Sequence, residues 1–345
     1  LSQWDTALVP QAVSASGGSA NFKLNIISCQ NMKKIPHNIF YKLRITLFFL
    51  RLFVLNIFLY MKLLLSFLCS ILIFNNTSAQ APTEKSLLWK ISGKQLIAPS
   101  YLYGTYHLLC PEDLKLSDKV KDAVKASSKV YLELDFDDPE LMQKMQANML
   151  MKGDASIKDF LPDSTFQKAS KVFLATTSIS LEMLVKLKPI LVSAMLYPSL
   201  MKCELSSPEQ LFATLATEQQ KTVEGLETVA QQMDVMEQIP YAEQAQMLVD
   251  YLLEPEKFNK ETIELLAQYK EGDLVAMQKA MNDPNQSYSK YMEGMLLQRN
   301  RNWIPIIKNE ISKNPIFIAV GAGHLAGDEG VISLLRKQGY TVTPY

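Results

Sequence analysis

Tyr101-Leu-Tyr-Gly-Thr-Tyr-His107 is an apolar run that closes on Gly104-x-x-His107, and a second stretch repeats its plan near the other end of the chain. There Ile316-Phe-Ile-Ala-Val-Gly-Ala-Gly-His324 closes on Gly321-x-x-His324. An uninterrupted apolar run of this length reads as a strand buried on both faces. The chain holds three histidines, and two of them occupy this setting. A strand that delivers a histidine at its carboxyl end, twice, predicts one site assembled from both ends of a domain.

Between the two runs the pattern alternates strand and helix. Leu87–Ile91 alternates, Gly93-Lys94 supplies a turn, and Leu96–Tyr103 resumes, which predicts a hairpin with an edge or a bulge at Pro99. Ser117 is placed to cap a helix with Val120, Ala123 and Val124 on one face. Lys129–Asp135 reads as a strand with Val130, Leu132 and Leu134 on one side and Tyr131, Glu133 and Asp135 on the other. Asp138-Pro139 predicts a helix start, and Asp163, Ser180 and Ser207-Pro208-Glu209 open further helices. A short β-branched strand ends near Gly225, Thr228 caps the next helix, and Pro240 begins another. A long helix is predicted over about 287–313, kinked at Pro305. After the Ile316 strand, Asp328 starts a helix ending at Gly339, and Tyr340–Thr343 closes the sheet. The expected class is α/β (α+β): a central mixed β-sheet surrounded by helices, with a helical insertion over about 138–220. The methionines of the insertion, Met183, Met195 and Met201 among them, either line a groove for apolar peptide or fill the core.

The N-terminal stretch has its own explanation. Met61-Lys62, the apolar run to Phe74 and Ala79-Gln80-Ala81 make a charged start, an apolar core and a small-x-small cleavage site. We therefore expect residues 1–60 to be non-native upstream sequence, 61–81 to be a cleaved signal peptide, and 82–345 to form a single domain. A membrane anchor over Ile45–Phe74 is the rival, but Arg51 and Lys62 interrupt it. Signal cleavage predicts a periplasmic or secreted protein with no stable membrane anchor.

The formal net charge is +0, with 35 basic and 35 acidic residues. The first 79 residues hold seven Lys/Arg and one Asp/Glu, so the remainder carries 28 basic and 34 acidic residues, near −6. That balance argues against nucleic acid as a partner, because phosphate binding needs clustered cations. Cys29 and Cys69 leave with the leader, and Cys110 and Cys203 remain. In an oxidising compartment they form a disulfide across a long loop or stay as two buried thiols.

His107, Glu133, Glu227 and His324 all fall at or just beyond predicted strand ends, the edge where open α/β sheets bind ligands. Two imidazoles with one or two carboxylates make a divalent-metal set with an open position for water. A metal there would acidify bound water and polarise a carbonyl, as amide hydrolysis requires. The glycines would let the backbone turn sharply beneath each histidine. No His-Glu-x-x-His helix, Cys-x-x-Cys pair or Gly-x-Ser-x-Gly elbow is present. On the residues alone, a metal site and a purely structural histidine pair both stand.

Gly104-Thr-Tyr-His107, Tyr131-Leu-Glu133, Gly225-Leu-Glu227, Arg299-Asn300 and Gly321-Ala-Gly-His324, in this order and spacing, resemble the TraB/GumN/Tiki family. The resemblance runs from about residue 85 to the end. It implies a fold similar to the erythromycin-esterase/ChaN-like group. It also implies a metal-dependent peptidase supported by manganese or cobalt, acting on a peptide or secreted protein. Under it His107 and His324 become metal ligands, Glu133 a ligand or general base, and Glu227 a further ligand of open role. Arg299 would stabilise an oxyanion or bind a substrate carboxylate; the bland reading is an ion pair to Glu133 or Glu227 that ties helix to sheet. Tyr103 and Asn300 are candidate substrate contacts, while Arg301 and Trp303 read as packing and solvent-facing. A binding module of the same fold for peptide, metal or haem, and a structural envelope protein, are the alternatives.

Overall fold

A computed structural model describes residues 81–94, 96–286 and 288–345. The expectations for the leader, for Cys29 and Cys69 and for a membrane anchor lie outside these residues. In chain order the described elements are β1 (Leu88–Ser92), β2 (Ser100–Thr105), α1 (Asp118–Ala126), β3 (Lys129–Leu132), α2 (Leu141–Asn148), α3 (Asp163–Thr177), α4 (Pro189–Ala194), α5 (Tyr197–Met201) and α6 (Pro208–Glu218). There follow β4 (Val223–Gly225), α7 (Val229–Met236), α8 (Tyr241–Leu253), α9 (Pro255–Lys270), α10 (Leu274–Met281), α11 (Arg299–Ile311), β5 (Ile316–Gly321), α12 (Val331–Lys337) and β6 (Thr341–Pro344).

The strands form one mixed sheet in the order β4-β3-β5-β2-β1-β6. β4, β3, β5 and β2 run parallel, while β1 is antiparallel to both β2 and β6. β5 lies between β2 and β3 and is buried at all six positions, which is why its sequence is apolar without alternation. Helices cover both faces. Leu88, Tyr101, Val130 and Phe317 pack with Val124 of α1 and Phe212 of α6 on one side. Trp89, Leu102, Ile318 and Val320 pack with Met277 of α10, Trp303 of α11 and Leu335 of α12 on the other. Because four neighbouring strands are parallel, their carboxyl ends share one edge, and the residues that follow each strand meet there.

Local signals explain most boundaries. The Ser117 hydroxyl accepts the Val120 N–H and caps α1, whose Val120, Ala123 and Val124 are buried. Thr228 and Gln231 form a capping box at α7. Four expectations need correction. Pro99 precedes β2 instead of lying in it, so β2 is an interior strand between β1 and β5. Asp138 caps a turn, its carboxylate accepting the Glu140 N–H, and α2 begins only at Leu141. The last helix starts at Val331 behind Gly330 instead of at Asp328. Finally, one helix over 287–313 is replaced by a short 3-10 turn, a π-helical segment at Glu293–Gln298 and then α11, in which Pro305 is accommodated. Ser287 itself lies outside the described residues.

Helices α3 and α4 form a separate apolar cluster with α8 through Phe166, Phe173, Val192, Leu248 and Leu252. The methionines divide: Met183 is 81% exposed, whereas Met195 packs on this cluster and Met201 on the sheet-side core. Cys110 and Cys203 are joined in a disulfide with Cα atoms 5.8 Å apart. It pins the segment after α5 to the loop that follows His107, aided by backbone hydrogen bonds between Leu109 and Ser206. Among the described residues no helix is long and apolar enough to cross a membrane. Closing a loop of 93 residues restricts the unfolded chain. Reduction, or Cys203→Ser, should lower stability by about 2–4 kcal/mol, read from urea unfolding with and without reductant.

Candidate functional site

The predicted convergence is present at the carboxyl edge of the parallel strands, and an arginine stands at its centre. The Arg299 guanidinium donates from Nε to both oxygens of Glu227, at 3.1 and 3.0 Å, and from Nη2 to Glu227 Oε1 at 2.6 Å. Nη2 also donates to Glu133 Oε2 at 2.6 Å. Nη1 donates to the Met295 carbonyl and to His324 Nε2, both at 3.0 Å. All three nitrogens, and so all five N–H groups of the fork, are spent. The π-helical segment before α11 carries the Met295 carbonyl that accepts one of them.

This geometry fixes the protonation of His324. Arginine only donates, so His324 Nε2 accepts, and Nδ1–H donates to Asn300 Oδ1 at 2.6 Å. Asn300 is held in turn by its Nδ2 on the Glu329 carbonyl. Burial, then the Arg299 charge, push the His324 pKa down to about 3 against the pull of Glu133. Trp303 is fully buried, packs its ring 4.4 Å from that of His324, and donates from Nε1 to Glu227 Oε2 at 3.3 Å.

Glu133 is buried with both oxygens occupied. Oε1 accepts the Gly321 N–H at 2.8 Å, and Oε2 accepts from Arg299 and from Gln232 Nε2. Burial raises its pKa, but Arg299 first, then His107, His324 and the Gly321 N–H, hold it well below the carboxylate range. A carboxylate so stabilised is a weak proton acceptor.

His107 differs from the others in being open. Its side chain is 62% exposed, with Nδ1 bonded to Glu209 Oε1 at 2.8 Å. Glu209 is buried and also accepts from Thr105 and Ser207, so it holds the ring in one orientation with Nε2 free. Burial disfavours the imidazolium, yet the Glu209 hydrogen bond and the charges of Glu133 and Glu209 raise its pKa to about 9. Space at Gly321 is tight. A Cβ there would stand 3.3 Å from both Glu133 Oε1 and His107 Nε2, so glycine leaves the cradle between these atoms open. The motif glycines therefore do not make sharp turns: Gly104 and Gly321 have ordinary φ, and a Cβ at Gly104 would strike Leu325 and Ala322.

Of the two expected substrate contacts, Tyr103 is half-buried and packs edge-on to Phe212 and against Phe317, and Asn300 is buried behind His324. Arg299 pairs with both Glu133 and Glu227, with each of its three nitrogens hydrogen-bonded. Trp303 is part of the site and not merely packing. Sequence reading missed Glu209 and Gln232 as site residues. Glu209 showed only as a helix-start acid, and nothing in its spacing pointed to His107 102 residues away.

Set against a divalent ion, the donor chemistry fits and the arrangement does not. His107 Nε2 and Glu133 Oε1 border the Gly321 cradle, and His324 Nε2 lies 3.8 Å from Glu133 Oε1. The His324 lone pair and Glu133 Oε2 are nevertheless held by Arg299, and among the described residues no three His, Cys, Asp or Glu side chains converge to hold a metal.

A fold of parallel strands with these motif residues at its carboxyl edge defines a family, and the family model described as TraB/PrgY/gumN matches residues 87–344. The chain belongs to the TraB/PrgY/gumN family. It is 22% identical over 313 residues to Metalloprotease TIKI2 of Danio rerio, covering 74% of this chain and 60% of that protein. Identity to Metalloprotease TIKI1 of the same organism is also 22%, over 74% of this chain and 62% of the relative. The chain thus spans about 60% of the length of these relatives. No solved structure matches.

Two measurements test the electrostatics. In imidazole NMR titrations of the metal-free protein, His107 should titrate near 9 and His324 should stay neutral above about pH 4. The raised His107 pKa contributes stability below the unfolded value of 6.5 that is lost as pH rises through about 9. The depressed His324 pKa contributes stability above 6.5 that is lost as pH falls toward about 3. Arg299→Met should destabilise by about 3–5 kcal/mol in chemical unfolding, because it strands two buried carboxylates.

Proposed function

We propose that this chain is an exported peptidase that cleaves amide bonds in the cleft above His107. The carrying observation is His107 itself: an imidazole open to the cleft, oriented by a buried carboxylate, beside a fixed and charged network. The family and the two curated metalloprotease relatives support the reaction class, and a disulfide in the described residues supports an oxidising, exported setting.

In this reading His107 holds a proton at Nε2 near neutral pH. Nε2–H polarises the scissile carbonyl while water adds to its carbon; the tetrahedral intermediate then breaks its C–N bond as Nε2 passes its proton to the departing amine nitrogen. The neutral imidazole regains a proton from the protonated carboxylic acid that remains, so the ring ends as it began. Glu209 stabilises the imidazolium and keeps its orientation. Glu133, Glu227 and Arg299 fix the wall against which the substrate lies. The relatives' names imply a metal, manganese or cobalt by the family resemblance, but Arg299 holds His324 Nε2 and Glu133 Oε2, so no step of this reading runs through one.

One observation favours a second reading. Arg299 occupies the His324 Nε2 lone pair, which suits a binding module of this fold that holds peptide, metal or haem without turnover. Cleavage of a mixed peptide library, followed by mass spectrometry, separates the two. We expect cleavage by the wild type, a loss of at least about hundredfold in His107→Ala, and a smaller loss in Glu209→Gln. Retention of bound peptide with no new termini under any metal supplement would reject the peptidase.

A further inference from the structure

A cavity of about 660 Å³ opens beside the site, within the range of pockets that bind ligands. Met236, Met247, Met281, Met292 and Met295, with Leu191 of the helical insertion, form its apolar and adaptable part, and charged side chains such as Lys257, Glu261 and Asp283 also border it. Four tyrosines, Tyr106, Tyr197, Tyr251 and Tyr288, also line it, and all are half-buried. Among the described residues none of these four hydroxyls makes a hydrogen bond, although most polar groups facing a protein interior are partnered. They lie close enough to oppose one another's ionisation; burial first, then Glu261, Tyr197 and Asp283, push Tyr288 up to about 12. The four are therefore neutral donors at any physiological pH.

The lining of the cavity adjoins the site at three points. Tyr106 immediately precedes His107. Met295, whose carbonyl accepts from Arg299, faces the cavity. Met281 abuts Gly323 inside the second Gly-x-x-His motif, where a Cβ would meet its Cε at 2.9 Å. Flexible thioether walls suit varied apolar side chains, while unspent phenol hydroxyls suit the carbonyl oxygens of an extended main chain.

We infer that this cavity is the subsite for a run of bulky apolar residues in a peptide ligand, positioned so that the adjoining peptide bond reaches His107. Peptide is favoured over a lipid chain because the unbonded phenol hydroxyls of the lining tyrosines would stay unsatisfied against an acyl chain. The inference rests on the peptidase reading for its last clause only, and binding tests it separately.

The probe is a fluorescent, capped hexapeptide rich in Leu and Phe, with one rich in Ser and Glu as control, titrated against the full chain by anisotropy. Ala194 lines the cavity yet is solvent-exposed, so Ala194→Trp fills the space without disturbing the core. We expect the apolar peptide to bind at least about tenfold tighter than the control. Ala194→Trp should remove most of that difference at an unchanged melting temperature, and Tyr197→Phe should weaken binding roughly threefold. Equal affinity for both peptides, indifference to Ala194→Trp, or preferential binding of a fluorescent fatty acid would overturn the assignment. Apolar peptide that binds in an Ala194→Trp-sensitive way and is never cut keeps the subsite and rejects the peptidase. Cleavage indifferent to side chain and to Ala194→Trp does the reverse.

Discussion

Every N–H of the Arg299 guanidinium is spent inside the protein, and the rest of the site is arranged around that fact. A buried guanidinium is tolerated only where its charge and all its donors are matched. Glu227 and Glu133 match the charge, and the Met295 carbonyl and His324 Nε2 take the remaining donors. Those bonds tie α11 to the ends of three strands, β3, β4 and β5. They also dictate that His324 is neutral and that Glu133 is ionised. A single side chain thereby sets the protonation of its neighbours.

What the network leaves free is the reactive part. Among the described residues His107 has no hydrogen bond to the guanidinium; it rests on its own carboxylate, Glu209, and its side chain is exposed. The two motif histidines are thus not equivalent, despite their shared setting. One is locked behind Asn300, Trp303 and Arg299, and the other is exposed and charged near neutral pH. The difference comes from the partners that the fold brings to each, a buried Glu209 in one case and a buried cation in the other.

The helical insertion completes the arrangement. The disulfide holds its end against the loop after His107, and α4 supplies one wall of the Met- and Tyr-lined cavity. The methionines read from sequence as either groove or core prove to be neither uniformly. Met183 is exposed and Met195 and Met201 pack, while the cavity is lined by other methionines, from α7, α8, α10 and the π-helical segment.

The sequence by itself determined the strand order of events: apolar runs too long to alternate had to be buried strands, and Gly-x-x-His had to follow two of them. Side-chain period and capping chemistry are local properties, so Ser117, Thr228 and the Ile316 strand were legible without coordinates. The gathering of His107, Glu133, Glu227 and His324 was also legible, because residues after parallel strands must share an edge. Only the tertiary structure decided what each of them does there. Protonation depends on charges from distant parts of the chain: Glu209 lies 102 residues from His107, and Arg299 lies 166 from Glu133. No local pattern encodes such pairings, and a metal set and a guanidinium-centred ion network therefore look alike until the chain is folded.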